Sequence, residues 1–230
     1  MDDLSRLENK LGLKFKNIDL LRQALTHRSY INENPGFQLG HNERLEFLGD
    51  AVLELATTEY LYNNFPEMPE GEMTSLRASL VNSIMTGLVA GRLQLNDFLL
   101  LSRGEAKDAG RGRQYILANA LEAVIGAIYL EAGYEAARDF VIREIIPELP
   151  RIREEKLYRD PKSRFQEEAQ DKVGITPTYE VLREWGPDHD KHFIVGVFLE
   201  KDLVAEGEGK SKQEAQQKAA EKALKIKGWE

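Results

Sequence analysis

There is no cysteine among the 230 residues. That absence excludes disulfides, thiolate nucleophiles and cysteine-ligated zinc or iron–sulfur centres, and it accords with a reducing cytoplasm, where the chain is expected to work. Long apolar runs are lacking as well. The best of them, ALEAVIGAIYLEAG at 120–133, is short and broken by glutamate, so no membrane is expected among its partners. The opening MDDLSRLENK is acidic and polar, unlike a signal or transit peptide. Histidine occurs only four times, and no serine–histidine nucleophile motif accompanies it. Positive charge is in deficit, 31 Lys and Arg against 39 Asp and Glu, for a net charge of −8. That sign argues mildly against a nucleic-acid partner, since phosphate binding needs lysine and arginine. Local basic patches can sit on an acidic chain, however, and a metal site that handles phosphate is itself acidic.

What the chain does have is concentrated in NERLEFLGDAVLELA at 42–56. Leu45, Leu48, Val52 and Leu55 recur at helical spacing and predict a buried stripe. Glu43, Glu46, Asp50 and Glu54 stand three and four positions apart, so on a helix they form one acidic row. Like charges at that spacing repel, and a solvated face normally alternates acid with base. Gly49 in the middle of this helix costs about 1 kcal/mol relative to alanine, which suggests a close approach to the backbone there. Spacing alone permits an ordinary acidic amphipathic helix. The sharper reading is a cation site, because hard divalent ions take carboxylate oxygens with water and phosphate filling the shell. Asn119 and Glu122 form a second oxygen-bearing pair on one face of a later helix, which taken alone reads as an ordinary surface pair, with Gly126 allowing close packing. Two such pairs on packed helices would make a divalent-metal cage.

The pattern to about residue 148 is helical, with helices expected near 2–10, 17–27, 41–64, 72–93, 114–131 and 134–147. ENPGF, FPEMPEG and the Gly-rich loop SRGEAKDAGRGR fall between them, and the prolines of EIIPELP close the region. The charged stretch 149–160 reads as a linker. From 161 to 228 the texture becomes helix, three short strands and an Ala-rich helix capped by Ser211 and Gly228. The expected architecture is therefore multidomain: an all-α domain followed by a small α+β unit in the order α-β-β-β-α.

HNERLEFLGDAVL, with ALTHRS at 24–29, FPEMPEGEMTSLRASLV at 65–81 and GRGRQYILANALEAVIGAIYLEAG at 110–133, resembles the ribonuclease III family. The last 70 or so residues resemble its double-stranded RNA-binding domain. The resemblance implies a homodimeric, Mg²⁺-dependent endonuclease (Mn²⁺ able to substitute) that cuts both strands of double-stranded RNA. It also implies work in rRNA and mRNA precursor processing and RNA decay, with no small-molecule organic cofactor. Carried over residue by residue, Glu46, Asp50, Asn119 and Glu122 match metal positions, and Asp50, Glu122, Glu43 and Glu70 match catalytic ones. Phe47 matches an aromatic that plugs into the partner subunit, and Gly49 would let two signature helices meet across the two-fold axis. The family usually carries aspartate where this chain has Asn119, which keeps a carbonyl oxygen but loses a charge. That departure leaves open a double-stranded RNA-binding scaffold with weak or no cleavage.

In this mechanism the ion acidifies water and offsets charge on the phosphate, so no histidine is needed and His27 and His41 are expected to be structural. RNA contacts are expected from Gln166 and Glu167 on the first helix of the second domain, from His189 in the GPDHDKHF loop, and from Lys210, Lys212 and Lys218 at the last helix. The family's further basic positions hold Gln213 and Gln216 here. In the first domain Arg77 and the basic loop of Arg103, Lys107, Arg111 and Arg113 are further candidates for phosphate.

Overall fold

A computed structural model describes residues 4–107, 110–154, 160–187 and 190–229, except for the side chain of Arg111. The chain divides into two compact units, Met1–Tyr158 and Arg159–Glu230. Within the first, the described helices are α1 (Ser5–Leu11), α2 (Ile18–Ala24), α3 (Arg28–Glu33), α4 (Glu43–Asn64), α5 (Glu70–Val81), α6 (Ser83–Arg92), α7 (Arg103–Lys107), α8 (Arg111–Glu144) and α9 (Leu149–Glu154).

Local chemistry sets most of these boundaries. The Asn17 side chain accepts the Asp19 amide and starts α2, and Gly12 ends α1 in the left-handed conformation. The single helix expected over 72–93 is two. Asn82 leaves the helical region (φ −70°, ψ 161°), and its side chain accepts the amides of Ile84 and Met85, capping α6. Gly133, at φ 83°, bends α8 where two separate helices are expected. The Gly-rich stretch expected as a loop is largely helical, as α7 and the first turn of α8. α3 is a further helix that the periodicity does not reveal, started by the His27 ring. The stretch 149–154 is not linker: it forms α9, whose Leu149 and Ile152 are buried in the helical core.

α8 runs through the middle of this unit. It is long and apolar enough to cross a membrane, but Leu121, Val124, Ile125 and Ile128 are each at most 1% exposed within the protein. α4 packs along it, and the buried face of α4 is Leu45, Gly49, Val52, Leu53, Ala56 and Leu61. Leu55 belongs to the opposite face, at 56% exposure, so the expected stripe is corrected by Leu53.

The second unit holds α10 (Pro161–Val173), β1 (Thr178–Trp185), β2 (His192–Leu199), β3 (Asp202–Gly209) and α11 (Lys212–Lys227). The strands form an antiparallel sheet in the order β1-β2-β3, with Val195 opposite both Val181 and Gly207. Both helices pack on it around Phe165, Val197, Ala219 and Ala223. α11 lies directly on β3: a Cβ on Gly207 would come within 2.2 Å of the Ala215 carbonyl. Ser211 and Gly228 cap α11 as expected, and Asp160 caps α10 by accepting the Ser163 amide.

Candidate active site

The site begins with two glycines. A Cβ on Gly49 of α4 would lie 1.7 Å from the Glu122 carbonyl oxygen of α8, and one on Gly126 would lie 2.3 Å from the Leu45 carbonyl. The helices therefore meet backbone to backbone at these two positions. Gly49 is buried inside its own chain, so the expectation that it serves the approach of a partner's helix is overturned. The close crossing brings Glu46 and Asp50 of α4 beside Asn119 and Glu122 of α8, four side chains with no ion pair to a basic group among the described residues.

The electrostatics of this cluster are those of uncompensated negative charge. Burial, then the charges of Asp50 and Glu46, push the Glu122 carboxyl up from an ordinary 4.5 to about 7. Burial also raises Glu46, with Glu43 and Asp50 adding repulsion. The Asn119 amide donates a hydrogen bond to the Glu46 carboxylate and works in the opposite direction. An aspartate at 119 could not donate in this way when ionised. The asparagine therefore relieves repulsion inside the cluster, and because its amide N–H makes that bond, its carbonyl oxygen stays available as a ligand. Among the described residues no three His, Asp or Glu side chains already stand at metal-ligating distance from one another. The donor set nevertheless fits a hard divalent cation: three carboxylates and one amide carbonyl, with Glu46, Asn119 and Glu122 half-buried, Asp50 open to solvent and no positive charge among them.

The other expected acids stand apart from this cluster in different ways. Glu43 belongs to the row but is already paired, with Arg28 at 3.4 Å and His41 at 3.7 Å. Sequence spacing gives no sign of Arg28 as its partner, although Arg28 lies within the ALTHRS motif. Glu70 sits in the first turn of α5, where it accepts from the Thr74 hydroxyl at 2.9 Å, and it is not among the charges acting on Glu46 or Glu122. His27 is a structural group: its Nδ1 caps α3 through the Ser29 amide at 3.3 Å, and burial lowers its pKa. Phe47 projects from α4 at 81% exposure.

Of the expected RNA contacts, Gln166 and Glu167 are exposed and line a shallow polar groove with Ser163, Gln170 and Asp171. Lys212 lies over the Phe193 ring at 5.7 Å. Lys210 and Lys218 already face acids, Asp190 at 3.4 Å and Glu214 at 2.7 Å. Arg77 donates to the Thr58 hydroxyl at 3.1 Å. Arg103 and Lys107 are exposed on α7. His189 lies outside the described residues, as does the Arg111 side chain.

The two units match two known families in the same order: Ribonuclease-III-like over residues 17–149 and Double-stranded RNA binding motif over 161–227. The chain is 46% identical over 223 residues to Ribonuclease 3 of Pelotomaculum thermopropionicum, covering 97% of this chain and 92% of that one. It is 45% identical over 226 residues to Ribonuclease 3 of a Nitratiruptor species, covering 98% and 97%. The crystal structure of the nuclease domain of ribonuclease III from Campylobacter jejuni, 44% identical, aligns with a TM-score of 0.59 over 65% of this chain and 98% of that one. With this likeness running through both units, the chain belongs to the ribonuclease III family of double-strand-specific endoribonucleases.

Proposed function

We propose that the chain is an Mg²⁺-dependent hydrolase of double-stranded RNA that works as a homodimer and cuts one strand at each of two α4–α8 clusters. The single observation behind this reading is the set of Glu46, Asp50, Asn119 and Glu122, where burial first and then the neighbouring acids raise two carboxyls and no basic residue offsets them. The three carboxylates and the Asn119 carbonyl would hold the ion, with Mn²⁺ able to replace it. When bound, such an ion supplies positive charge opposite a phosphate and acidifies water.

The chain's own residues do the rest. Gly49 and Gly126 set the helix separation that lets α4 and α8 share one ligand set. Glu43, tied to Arg28, adds its negative charge to Glu46 from the side. Leu121 and Val124, on either side of Glu122 in the chain, are fully buried in the helical core and anchor that part of α8. Support for the dimer comes from α4, where Phe47, Leu55 and Tyr62 form an exposed apolar stripe beside the acidic row. One solved C. jejuni structure is likewise described by flexibility in a region involved in dimer formation of the nuclease domain. Glu70 and Arg77 line a small pocket with Tyr62, at one end of that stripe, and we assign them to the cleavage site and RNA path of the dimer. Processing of rRNA and mRNA precursors in the cytoplasm is the cellular role we assign.

The test is incubation with a perfectly paired RNA duplex in Mg²⁺ and then in EDTA. Cleavage only with the metal is the expected result. Retention of the duplex without products at any Mg²⁺ concentration would instead favour a binding scaffold crippled at Asn119.

A further inference from the structure

In the second unit, two of the three expected lysines are already neutralised. Lys210 faces Asp190 and Lys218 faces Glu214, which also accepts the Lys210 backbone amide at 2.9 Å. Lys162, near the start of α10, is held differently. Its ammonium donates to the Gln216 side-chain oxygen at 2.8 Å and lies 5.0 Å from the centre of the Tyr179 ring. Both partners are neutral, and no carboxylate pairs with Lys162 among the described residues. The nearby Asp160 makes no ion pair with Lys162: one carboxylate oxygen accepts the Ser163 amide at 3.1 Å and its hydroxyl at 2.8 Å, the other accepts from Gln217 at 3.4 Å, and its charge is felt at Tyr179.

Helical spacing places this cation in a continuous row. Lys162 and Gln166 are four apart on α10, and Lys212 and Gln216 are four apart on α11, so each pair shares a face. Both pairs border the core face of their helix, next to Phe165 and Ala215. The Lys162–Gln216 hydrogen bond joins the two pairs. The result is one line, Gln166, Lys162, Gln216 and Lys212, that runs from the expected groove-reading helix to the expected phosphate-reading one. Position 216 is also where the resemblance leads one to look for a basic residue and finds glutamine.

We infer that Lys162 is an RNA phosphate contact, delivered by α10 to the position where α11 carries Gln216 instead of a base, with Gln216 and Tyr179 as its positioning residues. This rests on the reading of the second unit as a double-stranded RNA-binding domain and assigns one more residue to its surface. The neutral partners keep the ammonium ordered without cancelling its charge, which is what a phosphate site requires. A purely structural clamp would make the same contacts, but it would contribute nothing to the salt dependence of binding.

Salt dependence therefore gives the test. The full-length protein is titrated with a perfectly paired RNA duplex in Ca²⁺ or EDTA, to prevent turnover, from about 50 to 200 mM salt, a range in which phosphate contacts dominate the slope. Lys162→Met keeps the aliphatic stem on Tyr179 and removes the charge. It is expected to bind several-fold more weakly at low salt, with a log K against log[salt] slope shallower by about 0.7 to 0.9. Its melting temperature should stay within a degree or two of the wild type. Lys162→Arg should restore the wild-type slope. An unchanged slope for Lys162→Met would overturn the inference, whatever its affinity. If Lys162→Met lowers the melting temperature, Lys162→Gln is measured in its place by the same criterion. Failure of the wild type itself to bind the duplex would overturn the RNA-binding reading instead, a separate and recognisable outcome.

Discussion

A single proton on Glu122 couples fold, charge and metal. Its carboxyl titrates near 7 in the folded chain against an ordinary 4.5, so the folded form holds the proton more tightly than the unfolded one. The stability this contributes is fully present below about 4.5 and is lost as pH rises through about 7. Melting of the metal-free protein should therefore fall by a few degrees from pH 5 to pH 8, and Glu122→Gln should flatten that part of the curve. A cation binds the ionised form, so the rise in melting temperature caused by Mg²⁺ should be larger at pH 8 than at pH 5.5. Equal rises at both pH values would detach Glu122 from the metal. In turnover, Glu122→Gln should lower cleavage by more than about 100-fold, beyond the range seen for outer-shell changes, while duplex binding in EDTA is retained. Asn119→Asp removes the amide that relieves Glu46 and adds a fourth charge. It should lower the metal-free melting temperature and reduce the Mg²⁺ needed for half-maximal cleavage. A higher Mg²⁺ requirement in that variant would show that the asparagine is not a compromised ligand.

At the scale of the element, the crossing of α4 and α8 sets everything downstream. Gly49→Ala puts a methyl group 1.7 Å from a main-chain carbonyl, which no side-chain rotation relieves. The helices must separate, and overpacking of this kind costs at least the upper part of the usual 1–3 kcal/mol. Urea unfolding should show the loss as a lower midpoint at unchanged slope. Mg²⁺ affinity should fall with it, because the two halves of the ligand set move apart. Gly91 is the matched control on a neighbouring helix, since a Cβ there meets nothing within 4 Å. There alanine should be neutral or slightly stabilising.

At the scale of the molecule, α4 carries two adjacent surfaces with different requirements. The acidic row needs a cation, and the stripe of Phe47, Leu55 and Tyr62 needs cover. A second copy of the chain fills the second need in our reading. Phe47→Glu combined with Leu55→Glu should then shift the sedimenting mass from twice 26.2 kDa toward 26.2 kDa at micromolar concentration. Double-strand cleavage should fall in parallel, while melting of the fold changes little, since both side chains are already exposed. A wild-type chain that sediments as a monomer under these conditions would remove the dimer from the mechanism.

Much of this was legible in the residues. The acids at 46, 50 and 122 and the amide at 119 stand out because helical spacing converts sequence separation directly into shared faces. The α-β-β-β-α order of the second unit is legible for a similar reason, since the caps at Ser211 and Gly228 and the β-branched and aromatic residues of HFIVGVFL are local signals. What needed the tertiary structure was every fact about which face meets which. Periodicity placed Leu55 with the buried residues and left Leu53 out, because α4 is flanked by apolar side chains on two sides and only α8 shows which side is core. Gly49 announced a close approach but not its partner, and the partner proved to be the chain's own Glu122 carbonyl. Lys162 gave no signal at all, since its meaning comes from Gln216, which lies 54 positions away. Sequence by itself determined the chemistry available and the faces on which it lies, because those depend on neighbours within a turn or two. Only the folded chain decided which faces touch, because packing and unscreened charge are properties of atoms brought together from distant positions.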